Sequence, residues 1–264
     1  FCKTQILMQE ILLSSLILFA CSMAGGALAL IWKWKNQNWL KLLLAFSAAY
    51  LLSLTVLHLL PELYGFGIEQ VGWFVIAGFL LQVILDFFSQ GVEHGHAHVH
   101  GPITPAFLTM VMVSLWIHAF IEGMPFGAEH EVHGAAEAHG HSHEHSHEID
   151  AHQHSLLLGI GLHKITEAFV LASLFLHANL KKLSSWILLV LFACIAPLGA
   201  FTHHWIDEMG WDIDGVWYAG MIGVLVGILL HVSTIILFEG EMGHKFNWMK
   251  FVAIVAGIAA VGLM

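Results

Sequence analysis

Arginine is missing from this sequence altogether, and its nine basic residues are all lysine. Against nineteen acidic residues they leave a formal net charge of −10. That balance argues against nucleic acid or anionic lipid as a partner. Charge of either sign is scarce: 11% of residues are charged, where soluble domains carry about 25%. With 58% hydrophobic residues and a mean hydropathy of +0.78, an ordinary soluble domain is excluded. Cysteine is nearly absent. Cys2, Cys21 and Cys194 show no close spacing and two lie in apolar runs, which argues against a disulfide framework or a thiolate metal site. No organic cofactor is expected.

What is present is a series of long, unbroken apolar runs, which read as helices rather than barrel strands. Eight of them are long enough to cross a hydrocarbon core of about 30 Å: 11–32, 39–60, 71–88, 105–126, 155–178, 184–204, 215–238 and 247–264. The expected fold class is therefore all-α, a polytopic membrane protein with a single transmembrane domain over 1–264. The first run is too long for a signal-peptide core and no cleavage-like site follows it, so it is read as a membrane helix. The chain starts at Phe1, and the natural N-terminus is expected upstream of it. Pro61 and Pro125 are expected to end spans 2 and 4, and Pro197 to kink span 6.

Lysines set the orientation. Lys33, Lys35 and Lys41 lie around the loop between spans 1 and 2, Lys181 and Lys182 between spans 5 and 6, and Lys245 and Lys250 between spans 7 and 8. The alternate loops, 61–70, 127–154 and 205–214, contain no lysine and many acids. By the positive-inside rule both termini lie outside a cell (inner or plasma) membrane.

Two loops are rich in histidine, an inner one at 92–101 and an outer one at 128–154; together they hold thirteen of the 21 histidines. His94, His96, His98 and His100 alternate with small residues in the first. His139, His141, His143, His145 and His147 alternate with Gly, Ser and Glu in the second. Such tracts capture divalent metals loosely through imidazole. The bland alternatives are a polar, pH-sensitive connector or a purification tag; two tracts, one interleaved with Glu and Ser, argue against the tag.

Inside the apolar runs the informative feature is a repeated pair, His118-x-x-x-Glu122 in span 4 and His163-x-x-x-Glu167 in span 5. Residues four apart on a helix share one face. Counting at 1.5 Å per residue from the span ends puts both histidines roughly 10–12 Å below the outer surface, on antiparallel neighbours. Glu122 then lies nearer the outside and Glu167 nearer the middle; two imidazoles and two carboxylates suit Zn²⁺, Fe²⁺, Mn²⁺ or Cd²⁺, whereas Ca²⁺ and Mg²⁺ favour all-oxygen sites. A lone intramembrane histidine is often only a hydrogen-bonding residue between helices, and an i,i+4 His–Glu pair can be a local hydrogen bond. Two such pairs at matching depth, in a membrane where ionisable groups are costly, point to a metal site. Ligation needs neutral imidazole and ionised carboxylate, so acid should weaken it.

Lys164 follows His163 and lies about 13 Å from the interface, too far to snorkel. Its ammonium needs a carboxylate partner, Glu122 or Glu167, and a lysine so paired acts as a resident counter-ion. A third pair, His58 and Glu62, sits at the outer end of span 2 as a candidate entrance. His177, His231 and Glu239 are candidates for an exit path. Each of these, taken singly, also fits a structural role.

These motifs resemble the ZIP (Zrt/Irt-like) family of divalent metal transporters. Ser114-Leu-Trp-Ile-His118-Ala119-Phe-Ile-Glu122-Gly123 is similar to the family's His-(Asn/Ser)-x-x-(Asp/Glu)-Gly on span 4. His163-Lys164-Ile-Thr-Glu167 is similar to its His-(Glu/Lys)-x-x-(His/Glu) on span 5, and His58-Leu-Leu-Pro61-Glu62 to its span 2 ending. The resemblance covers nearly the whole chain. It implies a 3+2+3 bundle, with spans 1–3 and 6–8 as inverted repeats around spans 4 and 5. It also implies uptake of a divalent metal, zinc foremost, toward the cytoplasm by alternating access, and a homodimer. His118, Glu122, His163 and Glu167 match the family's primary site. The chain departs from the fullest pattern at the site: Ala119 replaces a polar ligand, Lys164 stands where some members carry a carboxylate, and span 6 has no acid of its own. One metal per site is the expectation, with Lys164 in the second position. The long histidine tract departs too, lying between spans 4 and 5.

Transport rather than enzymatic catalysis is the expected role. A cation-diffusion-type exporter also carries His-rich loops and intramembrane His–Asp pairs, but usually with six spans and a soluble C-terminal domain, which is not expected after Met264. An intramembrane zinc-dependent hydrolase would need an open coordination position and a nearby base, which the four ligands could supply.

Overall fold

A computed structural model describes residues 2–31, 38–92, 103–127, 145–209, 215–238 and 247–263. Among the described residues all regular structure is helical, as the long apolar runs dictate. The elements are α1 (Cys2–Ile31), α2 (Asn38–Leu54), α3 (Leu60–Gly65), α4 (Val71–Ser89), α5 (Pro105–Gly123), α6 (His145–His177), α7 (Lys182–Ala200), α8 (Thr202–Glu208), α9 (Gly215–Phe238) and α10 (Trp248–Gly262). Seven helical segments are long and apolar enough to cross a membrane: Met8–Ile31, Trp39–Gly65, Val71–Ser89, Pro105–Gly127, His154–His177, Lys182–Ala200 and Gly215–Phe238. The chain is thus a polytopic helical membrane protein. The eighth expected span, 247–264, is a shorter apolar helix of 15 residues, α10.

Three boundaries differ from expectation. Pro61 does not end the second span. Thr55–Leu59 forms a π-turn in which the Leu60 N–H reaches back to the Thr55 carbonyl, and Pro61 then falls in the first turn of α3. The wider turn and the N-terminal position together accommodate a ring that lacks an N–H. The sixth span stops at Ala200 rather than His204. Pro197 lies inside its last turn, the Phe201 N–H closes on the Pro197 carbonyl, and α8 follows as a separate short helix. The outer histidine-rich segment is not loop throughout: its residues from His145 onward already belong to α6. After Gly140 the sequence carries no glycine or proline until Gly159, so nothing local breaks the helix.

The long helices pack as two groups. In one, α1 lies against α6 and α7, and α5 against α7. In the other, α9 lies against α4 and α2, and α10 against α2. Glycines let backbones touch inside each group. A Cβ on Gly25 would stand 2.0 Å from the Ile165 carbonyl oxygen, and one on Gly78 would stand 2.1 Å from that of Val224. Without an aqueous driving force between membrane helices, such close approach is a main source of packing energy. Gly78→Ala should therefore destabilise the fold by about 1–3 kcal/mol through overpacking. A lower unfolding midpoint of the detergent-purified protein would show it. Gly65→Ala, whose Cβ meets nothing within 4 Å, should leave that midpoint unchanged.

Between the groups, α4 meets α5 and α2 meets α6. Side-chain hydrogen bonds cross this seam: the Ser114 hydroxyl donates to the Leu85 carbonyl at 2.7 Å, and the Tyr50 hydroxyl to the Ser155 carbonyl at 3.0 Å. Two apolar clusters fill the interior. One gathers Tyr50, Leu54, Phe126, Ile160 and Leu225; the other gathers Leu44, Leu115, Ala168, Phe175 and Phe192. Along α6 the stretch 163–167 falls between Ile160 of the first and Ala168 of the second, which leaves a polar layer with an apolar cluster on either side.

Candidate metal centre

The polar layer is built from two helix faces. On α5, Ser114, His118 and Glu122 recur every four residues and form one buried stripe. On α6, His163, Lys164 and Glu167 occupy a single turn, and all three are buried. The Thr166 hydroxyl donates to the His163 carbonyl at 2.7 Å, so it turns back on its own helix and away from competition for the site.

The imidazoles of His118 and His163 stand with ring centroids 6.0 Å apart and planes at 76°. Ligand atoms of His118, His163 and Glu167 all lie within 4.8 Å of one another, the one group of three or more His, Cys, Asp or Glu residues with metal-site spacing among the described residues. Glu122 joins it from α5, with its Oε1 3.2 Å from Nε2 of His118. Lys164 lies between the two carboxylates: its Nζ is 2.6 Å from Oε2 of Glu122 and 2.6 Å from Oε2 of Glu167. The sequence left its partner open between these two; the structure gives it both. The ammonium also sits 5.4 Å from the ring centroid of Phe192 on α7, a cation–π contact from the helix that contributes no acid.

Three features suit a cation. The two carboxylates and one ammonium leave the cluster with one net negative charge. Neither ring nitrogen of His163 has a hydrogen-bond partner among the described residues, and neither does Oε1 of Glu167. Buried polar atoms in this state cost about 1–3 kcal/mol each unless an ion or water satisfies them. Nδ1 of His118 is 3.0 Å from Oε1 of Gln82, a carbonyl oxygen that can only accept. Nδ1 therefore carries a proton, and Nε2 points toward Oε1 of Glu122 at 3.2 Å. A cation or a shared proton between these two atoms would satisfy both. The set thus offers two imidazole nitrogens and carboxylate oxygen, a donor mix that fits a tetrahedral divalent transition metal.

The other candidates lie elsewhere. His58 is half-buried in the π-turn, and Glu62 is exposed in the first turn of α3. His177 ends α6, exposed, with Nδ1 2.7 Å from the Ser173 carbonyl. His231 is buried in α9 with its ring edge-on to Phe79 at 5.0 Å. None of these four belongs to the cluster around His118. Glu239, His94, His96, His98, His100, His139, His141 and His143 lie outside the described residues, as do the side chains of His145 and His147.

Gln82 is the residue the sequence did not single out. It is fully buried in α4, a helix otherwise read only as an apolar span. Its signal was available: a neutral amide in mid-span must find a partner, and Gln82 is the one such residue between Val71 and Asp86.

Compared with known proteins, the chain matches no protein-family model and no curated protein.

Proposed function

We propose that the chain is a ZIP-type transporter that moves a divalent transition metal, zinc foremost, toward the cytoplasm through the site formed by His118, Glu122, His163 and Glu167. The observation that carries this reading is the buried cluster itself: two histidines and a carboxylate converge at metal-site spacing, and both nitrogens of His163 are left for a ligand. A substrate ion dehydrates only where such groups replace its water. Burial between two apolar clusters supports alternating access rather than simple diffusion.

The helix packing supplies a way to do it. All the candidate ligands are on α5 and α6, in one group, while the other group meets them across a seam where Gly159 of α6 faces the side chains of Tyr50 and Leu51. Displacement of the first group along the second would carry the ion from one side to the other. The packing also supports inverted repeats. Exchanging spans 1, 2 and 3 with 6, 7 and 8, and span 4 with span 5, turns the α1–α6 pair into α7–α5 and the α4–α9 pair into α10–α2, all of which pack together. In this reading α10 is the eighth span, both termini are outside the plasma or inner membrane, the protein is a homodimer, and Lys164 is a fixed counter-ion. His58, Glu62 and the outer histidines gather the ion, and His177, His231 and Glu239 flank its exit.

Radiometal uptake into proteoliposomes tests this reading. The expected result is saturable ⁶⁵Zn²⁺ flux, competed by Cd²⁺, Fe²⁺ or Mn²⁺ and not by Mg²⁺ or Ca²⁺. Bound zinc that never crosses the bilayer would overturn transport in favour of an intramembrane hydrolase.

A further inference from the structure

Resting on that metal-site reading, we infer that Gln82 is a positioning residue that makes the affinity of the site depend on the position of the two helix groups. The bond from the Nδ1–H of His118 to Oε1 of Gln82 does two things at once. It fixes the tautomer and ring orientation that aim Nε2 into the cluster, the role that carboxylates and carbonyls play behind metal-bound histidines. It also crosses the seam, because His118 is on α5 with the other ligands while Gln82 is on α4 of the opposite group. Both residues are fully buried, so the bond lies in the low-dielectric interior.

Displacement of α5 along α4 by even one helical residue, about 1.5 Å, would break this bond. The neighbouring bond from Ser114 to the Leu85 carbonyl would break with it, since it joins the same two helices about one turn away. In the displaced state His118 is no longer held as an Nε2 donor, and the metal is bound less tightly. A site with the same affinity in both states would bind well and release poorly; a histidine oriented from across the seam avoids that. Gln82 thus couples metal release to the motion that opens the exit, although it touches no metal itself.

Two variants of the full chain test this. Gln82→Met keeps the length and volume of the side chain but removes the acceptor. Gln82→Glu keeps an acceptor oxygen. Zn²⁺ affinity of the purified protein, measured by chelator competition, is expected to fall about 10–100-fold in Gln82→Met and to stay within about threefold of the original in Gln82→Glu. The KM for ⁶⁵Zn²⁺ flux should rise in Gln82→Met by the same factor, with kcat changed by less than about twofold. Unchanged affinity in Gln82→Met, or an equal loss in both variants, would overturn the inference. Absence of Zn²⁺ binding by the unsubstituted protein would instead overturn the metal site itself.

Discussion

His163→Ala is expected to abolish saturable metal binding and ⁶⁵Zn²⁺ flux while leaving the protein folded. The two halves of that expectation have different causes. His163 is buried at the centre of the ligand group, and neither of its nitrogens is engaged by another described residue. In the proposed site His163 is a direct ligand, and losing a direct ligand should cost more than the roughly 10–100-fold in affinity that follows loss of a ligand's hydrogen-bond partner. The same lack of partners means that removing the imidazole orphans no other polar group. Folding should suffer only the cavity, which His163→Leu would largely fill. Isothermal titration with Zn²⁺ and proteoliposome flux measure the first half, and the thermal unfolding midpoint measures the second. Wild-type flux in either variant would sink the site assignment. A collapse of the midpoint in both would show that His163 holds the fold together by contacts of its own.

His118→Ala should also stop transport, but with a larger effect on stability. It removes the buried hydrogen bond to Gln82 and the neighbour of Glu122 at 3.2 Å. The comparison of the two histidines shows how far the sequence carries. Spacing by four placed each His–Glu pair on one helix face, and counting residues from the span ends placed both histidines at a common depth, because helix rise is constant. The two rings indeed stand 6.0 Å apart. Gln82 escaped notice because its importance depends on which face of α4 meets α5, a tertiary fact that no local pattern encodes. The choice between Glu122 and Glu167 for Lys164 was open for the same reason: the two carboxylates come from different helices. Pro61 misled in the opposite way. Proline inside a helix is costly, yet a π-turn just before it removes most of the conflict, and that turn has no sequence signal strong enough to read. Composition established helices in a membrane, and the lysine rhythm suggested eight. With 15 residues α10 is short for a span of about 20, so length separates it from the other seven where polarity did not.

Lys164→Met is expected to destabilise the protein more than any other single change in the site, by about 3–5 kcal/mol, because it removes one partner from a buried ionic cluster. In the native arrangement Nζ lies 2.6 Å from an oxygen of Glu122 and 2.6 Å from an oxygen of Glu167, and both carboxylates are buried. Without the ammonium, two negative groups face each other in a low-dielectric layer with no solvent to screen them. A divalent cation can take over that role. Zn²⁺ should therefore raise the unfolding midpoint of Lys164→Met by more than it raises that of the unsubstituted protein, and Glu122→Gln on the same background should recover part of the loss by removing one charge. Lys164→Asp extends the argument from stability to stoichiometry. It places a third carboxylate where the ammonium stood, next to oxygens that already flank a cation. Elemental analysis of the purified variant is expected to find two metal ions per chain, against one for the unsubstituted protein. A count of one in Lys164→Asp would mean that the lysine does not occupy a metal's place, and its role as resident counter-ion would have to be given up. A count of two, with restored stability in the presence of Zn²⁺, would mean that a single ammonium is what keeps this centre mononuclear.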